Sequence, residues 1–181
     1  MWRLLHPRLW VSSVCRIDTS DLQRRGIRGL ILDVDNTLVP WGETEMAPAT
    51  RSWLEGMRAA GFRICLVSNN RRRRAESLAK AVGFPVISGA VKPLRHAFVR
   101  AMRLLGTRPP ETAVVGDQIF TDILGGNLAG AYTVLVSPLS RREFFTTRLN
   151  RQAEKLVLWH LRRRGLGPDV HLTTEGTVDD A

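Results

Sequence analysis

From residue 29 onward, short apolar runs alternate with segments whose apolar residues recur every three or four positions. Unbroken apolar runs of strand length mark strands buried on both faces, whereas the longer period marks helices. The pattern predicts a strand over Gly29 to Asp35 and a helix over Pro48 to Ala60, stopped by Gly61. A second strand, Phe62 to Val67, ends in Ser68-Asn69-Asn70. Arg71 to Val82 then places Ala75, Leu78, Ala79 and Val82 on one helical face, with Gly83 as a C-cap. A short strand at Val86-Ile87 gives way to Val91-Lys92-Pro93, and Pro93 suits the first turn of a helix reaching about Leu105. Thr112 to Val115 reads as a strand ending at Gly116-Asp117. Ile119 to Ala129 tends to helix although Gly125-Gly126 weakens it, and Tyr132 to Val136 closes the series. Strand and helix in alternation imply an α/β fold, a parallel sheet covered by helices.

Two segments stand outside this alternation. Residues 1–28 read as an N-terminal arm, 29–140 as the core, and 141–181 as a basic C-terminal helix and tail. The helix carries apolar Phe145, Leu149, Ala153, Leu156 and Leu161 among many arginines. The polar, acidic stretch Thr173 to Ala181 reads as disordered.

Composition alters this picture in one respect. Hydrophobic content of 44% and charged content of 24% are ordinary for a globular chain of 181 residues, but a net charge of +10 is not. Such a surplus favours polyanionic partners: an anionic membrane surface, nucleic acid or a phosphorylated molecule. The basic residues are almost all arginine, as a compositional bias would also produce. The two cysteines make no disulfide framework, and Cys65 lies inside an apolar run. No stretch reaches the roughly 18 apolar residues of a spanning helix, and Met1 to Arg8 makes a poor signal peptide. The chain reads as cytoplasmic, with peripheral contact to the inner membrane face as a further expectation.

The chemistry lies at the strand ends. Asp33 and Asp35 stand two residues apart after Gly29-Leu30-Ile31-Leu32, so a strand would project both carboxylates together from its carboxyl end. That is the edge where open α/β sheets bind ligands. Ser68, Lys92 and Asp117 fall at or just beyond other strand ends. Taken singly, each has a bland reading: a turn serine, a solvated lysine, a capping acid. In order, D-x-D-N-T, S-N-N, V-K-P and G-D-x-x-x-x-D resemble the four motifs of the haloacid dehalogenase-like phosphohydrolases. The wider runs Gly29 to Val39, Val67 to Asn70 and Gly116 to Asn127 resemble the YqeG-type subfamily, class IIIA, whose mitochondrial relatives include a phosphatidylglycerophosphatase. The resemblance implies a Rossmann-like parallel sheet with helices on both faces. It also implies phosphomonoester hydrolysis with Mg2+ as cofactor. On that reading Asp33 is the nucleophile and Asp35 the general acid and base. Ser68 and the Asn69 amide are donors to the phosphoryl group, and Lys92 neutralises charge. Asp33, the Asp35 main-chain carbonyl and Asp117 hold the metal. Asp122 is either a further ligand or an acid that orients Lys92 or a metal-bound water. Asn70 and Arg71 complete the expected substrate contacts.

Spacing bears on the substrate. Asp33 and Ser68 are 35 positions apart, and Ser68 and Lys92 are 24 apart, room for one helix each but not for a folded cap. A capless, open site suits a phosphate presented by something large, such as a lipid headgroup in a bilayer. Arg71-Arg72-Arg73-Arg74 could hold a second phosphate or an anionic surface, or could simply be a solvated face. Trp2, Trp10 and Trp159 could anchor at an interface or pack on the sheet. The leading expectation is dephosphorylation of phosphatidylglycerophosphate at a membrane surface. Its alternatives are a soluble phosphatase for sugar phosphates, nucleotides or phosphoproteins, and a basic RNA- or ribosome-binding protein with vestigial motifs. No RNA-binding signature is present, and no specific nucleic-acid partner is expected.

Overall fold

The structure, a computed structural model, describes residues 2–69, 73–140 and 145–169, without the side chains of 73–74 and 145–153. Six strands pair into one parallel sheet: β1 (Leu9–Val11), β2 (Gly29–Asp33), β3 (Arg63–Ser68), β4 (Val86–Ser88), β5 (Thr112–Gly116) and β6 (Tyr132–Val136). Their spatial order is β1-β6-β5-β2-β3-β4. The chain therefore moves outward from β2 through β3 to β4, then returns to β5 on the other side of β2. That reversal opens a crevice at the carboxyl ends of β2 and β5, where sheets of this kind bind ligands. Register places Leu32 beside Val115 and Asp33 beside Val67, so the chemical residues end the strands at one level.

Alternation along the strands sorts the core into layers. Leu30, Leu32, Ile64 and Leu66 face α1 (Thr19–Arg24), α2 (Pro48–Ala59) and α3 (Arg73–Val82) through Leu22, Leu54, Met57 and Leu78. Ile31, Cys65, Val67 and Val114 face the other way, onto Ala97, Phe98, Ala101 and Met102 of α4 (Arg95–Leu105). Phe98 is fully buried there, and truncating such a ring costs about 3–5 kcal/mol. On that second side, Trp10 and Leu135 meet Ile119 and Ile123, together with Val157 and Leu161 of α6 (Phe145–Arg163). Helices thus cover both faces of a Rossmann-like sheet. Between β2 and β3 the described chain has a loop and α2 only, and between β3 and β4 it has α3 only.

Several expectations are corrected. Residues 1–28 do not all lie outside the sheet: Leu9–Val11 joins its edge, pairing in parallel with β6. β2 stops at Asp33, so Asp35 lies in the following loop, bridged to Val39. α4 begins at Arg95 rather than Pro93, because the Leu94 N–H bonds the Val91 carbonyl in a tight turn at 3.1 Å. The predicted helix at Ile119 opens as a π-helical turn over Ile119–Ile123 and continues as α5 (Leu124–Leu128). Gly125 and Gly126 allow close approach there: a Cβ on Gly125 would lie 2.3 Å from the Phe98 ring. In α6, Leu161 packs inward with Val157, whereas Leu156 points to solvent. Trp10 packs in the core, whereas Trp2 and Trp159 are exposed. Asn70, Arg71, Arg72 and the acidic tail from Thr173 lie outside the described residues, as do the side chains of Phe145, Leu149 and Ala153. No described helix is long and apolar enough to cross a membrane.

Candidate active site

Four charged side chains are buried together at the carboxyl edge of the sheet: Asp33, Lys92, Asp117 and Asp122. Such groups are almost never buried unless paired. Here Lys92 Nζ donates to Asp33 Oδ1 and, at 2.6 Å, to Asp122 Oδ1. The other Asp122 oxygen accepts from the Gln118 N–H at 3.2 Å. Asp122 thus reaches Lys92 with one oxygen and the chain of its own turn with the other. Gly116 makes room for it, since a Cβ at that position would lie 2.3 Å from the Asp122 carboxyl carbon.

Burial pushes the Asp33 carboxyl above its ordinary range, while Lys92 pulls it back down. Burial works equally against the Lys92 ammonium, but Asp122 and Asp33 outweigh it and hold the proton firmly on nitrogen. Carboxylate oxygens of Asp33, Asp117 and Asp122 lie within 4.8 Å of one another. One ammonium offsets only one of three such charges. A buried set of hard oxygen donors with surplus negative charge suits a divalent cation such as Mg2+.

The loops around this cluster are pinned by polar contacts of their own. Asn69, at the end of β3, clamps the Lys92 main chain: its Oδ1 accepts from the Lys92 N–H at 2.7 Å and its Nδ2 donates to the Lys92 carbonyl at 3.4 Å. Ser68 Oγ donates to Asp35 Oδ2 at 3.3 Å, tying the half-buried Asp35 to the site. The seven described residues expected at the site (Asp33, Asp35, Ser68, Asn69, Lys92, Asp117 and Asp122) therefore gather at one edge. Asn70 and Arg71 fall outside the described residues.

Two contributors escaped the sequence reading. Asn36 adopts a left-handed backbone, φ 62, which Asn tolerates better than most residues. Its buried Oδ1 accepts from the Trp41 N–H at 3.0 Å and from Ser140 Oγ at 2.7 Å, folding the loop that carries Asp35. An Asn directly after D-x-D is a turn signal that could have revealed this role. The other is Glu154 of α6, whose buried carboxylate accepts from the Ile119 N–H at 2.7 Å. It anchors the turn between Asp117 and Asp122 from a distant helix, and nothing in its sequence surroundings signals that.

Comparison with known proteins agrees with the geometry. The likeness to solved structures includes NagD from E. coli K-12, with a TM-score of 0.51 and 17% identity over 63% of this chain and 89% of that one. A protein from Listeria monocytogenes serotype 4b gives 0.52 and 18%, over 72% and 98%. These are likenesses of fold. In sequence, the chain is 39% identical over 159 residues to a probable phosphatase, YqeG, of Bacillus subtilis, covering 88% of this chain and 92% of the relative. It is 33% identical over 175 residues to phosphatidylglycerophosphate phosphatase 1 of Arabidopsis thaliana, covering 91% of this chain but 50% of that protein. The chain therefore spans half the length of the plant relative. Fold, motif order and relatives together define a phosphoric monoester hydrolase of the haloacid dehalogenase-like class. Within that class the chain belongs to the mitochondrial PGP phosphatase family, whose model matches residues 2–138.

Proposed function

We propose that this protein is a Mg2+-dependent phosphatase that works through an aspartyl-phosphate and removes the terminal phosphate of phosphatidylglycerophosphate at a membrane surface. The observation that carries the chemistry is the buried Lys92 ammonium bridging Asp33 and Asp122, with Asp117 in the same cluster. Lys92 holds the Asp33 carboxylate in place and lowers the repulsion between it and an incoming phosphate dianion. One Asp33 oxygen attacks phosphorus, the bond from phosphorus to the leaving alkoxide breaks, and Asp35 supplies the proton that makes the alcohol. A water then attacks the aspartyl-phosphate, Asp35 takes its proton, and inorganic phosphate leaves with the Asp33 carboxylate restored. Ser68 positions Asp35 during both steps, and the Asn69 clamp fixes the height of Lys92.

Asp33, Asp117 and the Asp35 carbonyl are the groups proposed to hold the metal, which would supply further charge neutralisation on the phosphoryl oxygens. Asp122 is read as the acid that orients Lys92, because both its oxygens are engaged by the protein. The lipid reading is supported by the plant relative's named substrate, by the lack of a cap domain among the described residues between β2 and β4, and by the net charge of +10. Phosphate release from phosphatidylglycerophosphate by purified protein, with Mg2+ and after chelation, tests the proposal. Asp33→Asn is expected to abolish turnover while leaving the circular dichroism spectrum intact. Full turnover by that variant would remove Asp33 from the nucleophile's role.

A further inference from the structure

We propose that Val91, Leu94 and Leu139 form an apolar rim by which the active site seats itself in the interfacial layer of an anionic phospholipid bilayer. The inference deepens the proposed lipid substrate and rests on that reading, but it makes a separate claim about where the membrane touches the protein.

Val91 directly precedes Lys92 and is 60% exposed. Its backbone is left-handed, with φ 53, a conformation that glycine or asparagine adopts readily and a β-branched residue rarely does. An apolar, β-branched residue there gains no internal packing and sits in a costly conformation, a combination that marks functional sites. The Leu94 N–H donates to the Val91 carbonyl at 3.1 Å, so one turn presents both side chains, with Leu94 55% exposed. Leu139 rises on the other side of the mouth, where its N–H donates to the Asn36 carbonyl at 3.0 Å, and it is 44% exposed. The three therefore flank the loops carrying Lys92 and Asp35 from opposite sides of the crevice. Scattered exposed leucines need no explanation, but apolar side chains gathered round a catalytic mouth do.

Charge identifies the occupant. Arg95 and His96, both exposed, follow Leu94 directly, and the chain as a whole is strongly cationic. Apolar side chains with basic neighbours match the boundary between acyl chains and anionic headgroups. A second exposed set, Leu156, Trp159 and Trp2, decorates the outer face of α6 and the N-terminal turn. Trp2 lies beside His160, with ring centroids 5.2 Å apart at a tilt of 33°. Leu156 lies two residues from Glu154, which reaches the Ile119 N–H beside the catalytic cluster, so this set is the rival surface that the test separates from the rim.

The test uses the full chain and a rim variant combining Val91→Asn, which tolerates the left-handed backbone, with Leu94→Ser and Leu139→Ser. Flotation is measured with phosphatidylcholine vesicles containing or lacking phosphatidylglycerol. Hydrolysis is measured on p-nitrophenyl phosphate, on phosphatidylglycerophosphate in vesicles and on the same lipid in detergent. The rim variant should lose about tenfold in binding to the phosphatidylglycerol vesicles and about as much in vesicle-borne hydrolysis. Hydrolysis of p-nitrophenyl phosphate should be unchanged. If that activity falls, the single Leu94→Ser and Leu139→Ser variants decide by the same readouts. Unchanged flotation of the rim variants overturns the proposal, as does loss of flotation in Trp159→Ser alone. Dissociation of a dimer by the rim changes would assign the surface to a second copy and also overturn it. Failure of the unaltered protein on the lipid in detergent counts against the substrate reading instead, and leaves flotation to judge the rim.

Discussion

The two edges of the sheet are built from similar loops but handle polar groups in opposite ways. At the carboxyl edge, Asp33, Lys92, Asp117 and Asp122 are charged and buried, and Asn36 and Val91 hold left-handed backbones. At the amino edge the charged head stays near solvent and the buried polar groups are neutral. Thr107 Oγ and Thr112 Oγ share a hydrogen bond at 2.8 Å, and Arg63 donates to the Leu105 and Gly106 carbonyls at 2.5 and 3.0 Å, closing the end of α4. A hollow of about 390 Å3 also lies there, lined by Gln23, Arg28, Phe62 and Arg63, with no acidic group among them. That hollow holds no buried charged side chain. Charge buried against its solvation preference points instead to the carboxyl edge, and stored electrostatic cost is the better guide to function.

This contrast predicts that substitutions at one edge strike both activity and stability, and at the other stability alone. Lys92→Met should have the largest effect. It leaves Asp33 and Asp122 buried without their counter-charge, a loss of about 3–5 kcal/mol in metal-free protein. Phosphatase activity should fall by about 10^2- to 10^3-fold. Urea denaturation with and without Mg2+ checks the first part, and added Mg2+ should recover some of the stability. Unchanged stability would show that the cluster carries no electrostatic load.

Glu154→Ala comes next. It removes the acceptor of the Ile119 N–H, worth about 1–3 kcal/mol when buried, and loosens the turn between Asp117 and Asp122. The expected result is a weaker Mg2+ affinity by isothermal titration, with Glu154→Gln losing less than Glu154→Ala because its amide oxygen still accepts from the Ile119 N–H. Equal Mg2+ affinity in Glu154→Ala would reduce this carboxylate to a packing role. Arg63→Ala, at the amino edge, should cost about 1–2 kcal/mol of stability through the lost carbonyl contacts. Its kcat should stay within about twofold, since no group of the site touches it. A large fall in kcat would erase the distinction between the edges.

Most of this site was readable along the chain because each chemical residue ends or follows an apolar strand, and strand ends in a parallel sheet converge by geometry. Asp33, Ser68, Lys92 and Asp117 needed only that rule. Asp35 belongs to the same site for a different reason than its two-residue spacing suggested. The strand has ended by then, and Asn36 and Ser68 bring the carboxylate in. Leu9–Val11 was illegible as a strand because three residues carry no period, and the exposed edge of β6 supplies the partner that defines it. The inward face of α6 was not legible at Leu156 and Val157, which are adjacent and both apolar, so only the partner surface decides which turns inward. Glu154 is a lone acid in a basic helix, and the Ile119 N–H it meets lies across the fold, 35 residues away in sequence.

In the proposed mechanism Asp33 is the nucleophile that carries the phosphoryl group from alcohol to water. Rapid acid quench of the protein during turnover of a 32P-labelled substrate, followed by peptide mapping, examines this directly. A label on the peptide containing Asp33, released by hydroxylamine and absent from Asp33→Asn, is the predicted result. Full turnover with no covalent label, or a label on any other residue, would contradict it.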